Sequence, residues 1–298
     1  MDLSVVIPTL NGRDQLVAGL DALATHVPGA EVIVVNGPST DGTTGMIRDR
    51  DDVDVLIEVS ARTATVARNA GLEAATGDAV AILRYDLVVE PSWLAGVEDG
   101  LAEASVVTGP THRTLDGGMT TEESERRTVG SREVTYFNGG NVAFRRPVLD
   151  ALDGFDEYLE TGGDRDAAHR LAGLGYGVAW RSQMGVRQEY SADGGVTGNR
   201  GEEFRLLAYR LVKNYGVRPA ATGTARRAVR DAVDAGFKVV RGDLDPTEWF
   251  ATGRAVIGGV GRGTVDGFVA RLRDRSPAHN PHGTSDRVDR AVTRYDWR

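Results

Sequence analysis

The apolar run "VAILRYDLVVEP", residues 80–91, carries one acid, Asp86, at its polar turn, with Arg84 two positions before it. A guanidinium is permanently charged and cannot ligate a metal, but its flat fork matches a phosphate through two parallel hydrogen bonds. The two side chains therefore read either as a plain ion pair at a strand end or as a pair turned toward an anionic ligand. A second group of titratable residues lies in "GDRDAAHRL", residues 163–171, where His169 follows Asp166 at helical spacing. Cysteine is absent, which removes disulfides, thiolate metal sites and a cysteine nucleophile.

The elements that must hold these residues alternate. "LSVVIP", "EVIVV", "VDVLIEV", "AVAIL" and "SVVTGP" read as strands. Helices are expected between them over 14–25, from Ser39 or Thr40 onward, over 62–76 and over 92–103, with Leu16, Leu20 and Leu23 on one face of the first. Fully apolar strands alternating with helices predict a parallel sheet covered on both faces. Ligands of such sheets bind beyond the carboxyl ends of the strands. Three polar turns stand there, at 8–13, 36–43 and 84–87. Residues 111–133 read as a polar excursion, and "EVTYFNGGNVAFRR" returns to strand character. From about residue 200 the chain reads as helical, with Phe204, Leu207, Leu211 and Tyr215 on one face and the polar stretch 276–298 loosely held.

The chain has 298 residues, 41% hydrophobic, with a net charge of −8, which argues against a general nucleic-acid binder. The charge is uneven. Residues 1–199 hold 16 Lys+Arg against 31 Asp+Glu, and residues 200–298 hold 19 against 12. An acidic body and a basic segment predict different partners for the two. No stretch has the form of a signal peptide, since a strand begins at once. The longest uncharged run is eleven residues, 134–144, where a membrane-crossing helix needs about twenty. A location in the cytoplasm, peripheral at the cytoplasmic face of a membrane at most, is expected.

"SVVIPTLNGRDQL", "EVIVVNGPSTDGT", "ARNAGLEAATGDAVAIL", "GGNVAFRR", "LDGFDE" and "GDRDAAHRL" occur in the order and spacing of a known family. Over residues 2–190 the chain resembles the family 2 inverting glycosyltransferases, which have the GT-A fold. Each motif alone is weak; six in order are specific. The resemblance implies a nucleotide-diphosphate sugar as donor, Mg²⁺ or Mn²⁺ to absorb the charge of the leaving diphosphate, a carboxylate base on the acceptor hydroxyl, and a pocket holding the nucleotide in line. It implies a GT-A catalytic domain over 1–200, a Rossmann-like, mostly parallel sheet with helices on both faces; residues 201–298, which the resemblance does not cover, read from pattern and charge as a C-terminal helical, basic segment.

Carried over residue by residue, Asp86 takes the place of the family's metal ligand, and Arg84 replaces the earlier acid of the usual Asp-x-Asp. Arg84 then either assumes part of the metal's task or pairs with Asp86 and weakens the metal site. Pro8 and Thr9 fall where the family's backbone meets the nucleotide. Asn36 falls where an acid often reads the base, with Gly37 in place of a second acid. Arg68, beside Asn69, lines the donor pocket in the resemblance, against an equal reading as a solvated helix arginine. Asp164 matches the catalytic base, although Gly163 replaces the usual preceding Glu. Asp166 reads as orienting a neighbour or capping the helix, and Asp41 with Gly42 as a structural turn. Asn141 and Asp156 resemble positions flanking the acceptor site, and Gln188 or Glu189 lies near a third metal position.

The implied acceptor is a glycan or a lipid-linked saccharide. Val265, Phe268, Val269 and Leu272, followed by Arg271, Arg273 and Arg275, suit either an anionic membrane surface or packing on the catalytic domain. Two rival functions stand beside the transferase: a sugar nucleotidyltransferase, for which "PTLNGRDQL" is a poor phosphate loop, and a non-catalytic nucleotide-sugar binding protein, which the departures at Arg84, Gly37 and Gly163 favour and the retained Asp86 and Asp164 oppose.

Overall fold

A computed structural model describes residues 1–115, 118–120, 125–188, 199–220, 224, 227, 246–274, 279–287 and 289–298. The described residues fall into two compact units, Met1–Ser191 with Ala278–Arg298, and Ala192–Pro277.

The first unit is built on an eight-stranded sheet in the order β12-β6-β11-β4-β1-β2-β3-β14. Its centre is parallel: β1 (Leu3–Thr9) lies between β2 (Glu31–Asn36) and β4 (Ala79–Leu83), with β3 (Val55–Val59) beyond β2. The middles of these strands are apolar on both sides because both faces are covered. Val6, Ile33, Val35, Ile57 and Ile82 point to one side, into a core shared with Ala67 and Ala70 of α3 (Ala64–Ala74) and Ala167 and Leu171 of α6 (Gly163–Leu174). Their neighbours Val5, Ile7, Val34, Leu56 and Ala81 point to the other side. There they meet Leu16, Leu20 and Leu23 of α1 (Arg13–His26) and Trp93 and Leu101 of α4 (Trp93–Glu103). The period-two alternation of a strand thus builds two cores from one sheet.

Beyond β4 the sheet is mixed. β11 (Asn141–Arg145) runs antiparallel between β4 and β6 (Val106–Thr108), and β12 (Val178–Trp180) closes that edge parallel to β6. The stretch read as a polar excursion contains strands: β7 (Thr111–Leu115), β8 (Gly118–Thr120), β9 (Arg126–Val129) and β10 (Arg132–Thr135). β9 and β10 form a hairpin, while β7 is held by β13 (Val186–Gln188), far along the chain, in a small sheet with β5 (Leu87–Val89) and β8. A local pattern carries no trace of so distant a partner.

The chain also corrects the reading of its last residues. Instead of staying with the helical segment, Ala278–Arg298 return to the first unit, where β14 (Ala291–Asp296) adds an antiparallel edge strand to β3. Arg290 anchors the return; its side chain is fully buried against Glu157, Glu73 and the carbonyls of Gly283, Thr284 and Arg287. Arg298 closes it on Glu31 at 2.5 Å.

The second unit contains α7 (Arg200–Tyr215) and α8 (Pro246–Arg273). They cross closely because α8 presents glycine: a Cβ on Gly259 would lie 1.9 Å from the Gly201 carbonyl oxygen, one on Gly263 2.0 Å from that of Arg205, and one on Gly267 2.6 Å from that of Tyr209. The contact therefore runs along the Gly201–Arg205–Tyr209 row. Ala208, Tyr209 and Val212 are buried with Phe204 and Leu211, while Leu207 and Tyr215 are only partly covered. Val265, Phe268, Val269 and Leu272 of α8, for which the sequence left membrane contact and packing both open, are exposed, as is Ile257.

Candidate functional site

The carboxyl ends of β1 and β4 and the start of α3 enclose a cavity of about 150 Å³. Pro8, Thr9 and Leu10 line it from the end of β1, and Arg84 and Tyr85 from the end of β4. Ala64, Ala67 and Arg68 line it from α3, and Gly37 from the turn after β2. The ends of parallel strands are where polar backbone groups and side chains emerge from the apolar sheet.

The glycine pair before β11 gathers the charged groups. A Cβ on Gly139 would lie 2.8 Å from Asp164 Cβ and 3.1 Å from Arg68 Nη2, and a Cβ on Gly140 would lie 2.9 Å from Arg84 Cβ. Arg84 donates its backbone N–H to the Gly140 carbonyl at 2.9 Å, and Arg68 Nη2 donates to the Gly139 carbonyl at 3.0 Å. Bare backbone at 139–140 thus lets α3, α6 and the β4 turn converge.

Arg84 and Asp86 form a two-pronged ion pair. Nε donates to Oδ1, and Nη2 donates to Oδ2 at 3.0 Å. Gln188, brought opposite Leu87 by the antiparallel register of β13 and β5, donates from Nε2 to Asp86 Oδ2 at 2.8 Å. The Asp86 side chain is 8% exposed and that of Arg84 is 35% exposed, so the acid lies behind and the guanidinium reaches the cavity. This donor set does not fit a divalent cation held by the protein. Such an ion prefers six or more oxygens; here a single carboxylate is already committed to an arginine and an amide. Among the described residues, no three His, Cys, Asp or Glu side chains cluster as metal ligands. Glu189 lies outside the described residues.

Arg68 is partly buried over the Phe155 ring, its guanidinium carbon 5.2 Å from the ring centroid. Burial pulls its pKa down, the Asp164 carboxylate pushes it back up, and the Arg84 charge lowers it further. Its Nε and the Oγ1 of buried Thr9 are closed off from solvent and have no hydrogen-bond partner among the described residues. Both residues line the cavity. An orphaned buried donor costs about 1–3 kcal/mol, and both of these lie sealed within the wall of the cavity.

Asp164 stands in the first turn of α6, partly exposed, with one oxygen accepting from the Arg165 N–H at 2.9 Å. Pro8, Thr9, Arg68 and Arg84 line one cavity, and Asp86 and Asp164 adjoin it. Asn36 does not line it. Its Nδ2 donates to Thr44 Oγ1 at 2.8 Å and its Oδ1 accepts from Ser39 Oγ at 2.7 Å, which turns the amide toward the start of α2 (Thr43–Arg48).

Other residues singled out in the sequence have structural tasks. Asp41 accepts from the Arg13 N–H at 3.0 Å and the Thr43 N–H at 3.1 Å, tying the starts of α1 and α2. Burial works to raise its pKa, and the hydrogen bond from the Thr43 hydroxyl, with those two N–H groups, outweighs it and holds the carboxyl below its usual range. Asn141 is fully buried between Trp93 Nε1 and the Met184 carbonyl, and buried Asp156 accepts from the Tyr158 N–H at 3.0 Å; neither faces the cavity. His169 is buried edge-on to Tyr136. Asp166 pairs with Arg170 in the core of α6. Asn69, which the resemblance places with Arg68 on the helix of the donor pocket, instead bonds both the N–H and the C=O of Phe155 and so fastens α3 to the "GFDE" turn.

A family model for "Glycosyl transferase family 2" matches residues 4–152. The chain is 27% identical over 194 residues to the pre-mycofactocin glycosyltransferase of Mycobacterium tuberculosis, covering 58% of this chain and 40% of that protein. It is 27% identical over 198 residues to the glycosyltransferase AglE of Haloferax volcanii, covering 60% of this chain and 64% of that protein. The chain thus spans about half the length of the curated relatives it matches. Two solved structures share the fold. Staphylococcus aureus TarS 1–349 in complex with UDP-GlcNAc has a TM-score of 0.61 at 17% identity, covering 92% of this chain and 91% of that one. The mannosyltransferase PcManGT of Pyrobaculum calidifontis in complex with GDP-Man and Mn²⁺ has a TM-score of 0.53 at 19% identity, covering 92% and 88%. The mixed α/β architecture with its mostly parallel central sheet agrees with the GT-A expectation. With half of its length under the family model, the chain belongs to glycosyl transferase family 2.

Proposed function

We propose that the protein is an inverting glycosyltransferase that moves a sugar from a nucleotide-diphosphate donor to an acceptor hydroxyl. The observation that carries this reading is that Arg68 and Arg84 line one cavity and Asp164 adjoins it across the bare backbone of Gly139. Two guanidinium groups suit the diphosphate of the donor. Asp164, beside them, suits the proton of the attacking hydroxyl. In the reaction the acceptor oxygen bonds the anomeric carbon from the face opposite the donor's phosphate oxygen. The carbon–oxygen bond to phosphate breaks, its electron pair leaves with the nucleoside diphosphate, and the hydroxyl proton passes to Asp164. Relatives that bind GDP-Man with Mn²⁺ and UDP-GlcNAc support a nucleotide-sugar donor. Dependence on Mg²⁺ or Mn²⁺ is the family expectation, but the donor set around Asp86 supplies no step through such an ion.

Purified protein incubated with UDP- and GDP-linked sugars and saccharide acceptors should release nucleoside diphosphate and give a glycosylated product of inverted anomeric configuration. Binding without turnover across the panel would favour the binding protein, and pyrophosphate release from a nucleoside triphosphate and a sugar phosphate would favour the nucleotidyltransferase.

The acceptor reading is a growing glycan or lipid-linked saccharide, met at the cytoplasmic face of a membrane. Among the described residues no helix is long and apolar enough to cross a membrane. The exposed row Ile257, Val265, Phe268 and Leu272 on α8, with exposed Arg254, Arg262, Arg271 and Arg273, supports surface contact instead. Each basic residue near an anionic surface contributes about 1 kcal/mol. Burying an apolar side chain contributes about 1.5–3 kcal/mol, so Phe268→Ser with Leu272→Ser should weaken binding to phosphatidylserine-containing vesicles about tenfold or more, measured by co-sedimentation. Vesicle binding equal to wild type would remove α8 from that role.

A further inference from the structure

Resting on the glycosyltransferase reading, we propose that Arg84 and Arg68 themselves neutralise the donor's diphosphate, and that Asp86 aims Arg84 at it rather than holding a metal. Three observations lead there. The Asp86 carboxylate has about four acceptor positions; Arg84 takes two and Gln188 a third. The acid lies beneath the arginine, at 8% exposure against 35%, so the charge presented to the cavity is positive. On the same wall, Arg68 Nε and Thr9 Oγ1 are buried donors with nothing to donate to among the described residues. The two arginines lining one space of about 150 Å³ match the acceptor oxygens of a diphosphate.

The consequence for the reaction is specific. As the bond between the anomeric carbon and the phosphate oxygen breaks, its electron pair moves onto the terminal phosphate of the leaving nucleoside diphosphate. The added negative charge is met by guanidinium groups already in place, which need no reorganisation at that moment. The buried position of Asp86 gives it the role of a positioning residue. It fixes the plane of the Arg84 fork, and Gln188 fixes Asp86 in turn.

The test is calorimetric titration of the full chain with UDP, GDP, CDP, ADP and dTDP, in EDTA and again in Mn²⁺. At least one nucleoside diphosphate should bind in EDTA, with a Kd within about threefold of that in Mn²⁺. Arg84→Gln and Arg68→Gln should each weaken binding in EDTA by about 10–100-fold, the size of a charge-assisted hydrogen bond. Arg84→Lys, which keeps the charge but loses the fork, should lose less than Arg84→Gln. Asp86→Asn should still bind in EDTA. Binding that appears only with Mn²⁺ and vanishes in Asp86→Asn would overturn the inference and leave the transferase reading intact, as would wild-type affinity in both glutamine variants. No binding of any of the five in either condition would overturn both.

Discussion

Asp164→Asn is expected to lower turnover by about 10²–10⁴-fold, the usual contribution of a general base, while leaving donor affinity within about twofold. Asparagine has the shape of aspartate but takes up no proton. The side chain stands at the start of α6, against the Gly139 backbone and next to the Arg68 charge, so the substitution leaves the packing of the site in place. Arg68 and Arg84, which line the cavity, remain to hold the diphosphate. The measurement pairs single-turnover rates with donor binding by calorimetry. A rate within tenfold of wild type would take the proton-accepting role from Asp164. A parallel loss of affinity would instead make it a determinant of donor binding.

Arg170→Met is expected to cost about 3–5 kcal/mol of stability, because it breaks a buried ion pair and leaves its acid behind. The side chains of Arg170 and Asp166 are both 0% exposed, with Nε 2.9 Å from Oδ2. Arg170 also satisfies the carbonyls of Leu152 and Gly154. For a unit of this size each kcal/mol shifts Tm by about 2–4 °C, so melting followed by circular dichroism should drop by roughly 6–20 °C. The double variant Arg170→Met, Asp166→Leu should recover much of that, since an apolar pair leaves no charge uncompensated. A shift below about 2 °C in the single variant would show that Asp166 is neutralised by other neighbours. Because α6 also carries Asp164, activity in the single variant should fall with the folded fraction and not beyond it.

Much of the fold was legible because strand periodicity and double-sided burial leave a local mark. The runs at 3–8, 31–35 and 79–83 are apolar but for Ser4 and Glu31, and each is a central strand with one core on either side. The positions of Arg84, Asp86 and Asp164 were legible as motif residues at the ends of such elements. What escaped was set by distance along the chain. β7 needs β13, β14 needs β3, and neither partner writes itself into the other's sequence. Which of two readings holds for the α8 face was open in the sequence for a related reason. Apolar residues mark a core only when something covers them, and α7 is met instead by Gly259, Gly263 and Gly267, which bury backbone.

By itself the sequence determined the parallel sheet, the turns beyond it, the absence of thiol chemistry and the two-residue spacing of Arg84 and Asp86, all of which follow from local residue type and period. Whether that arginine would cover its neighbour or leave it free for a cation was open at that level. The tertiary structure decided it. Register places Gln188 opposite Leu87 and thereby on Asp86, and the bare backbone of Gly139 and Gly140 admits Arg68 and Asp164 on one side and Arg84 on the other. The direction of a charge depends on which groups surround it, and those groups come from four separate stretches of the chain.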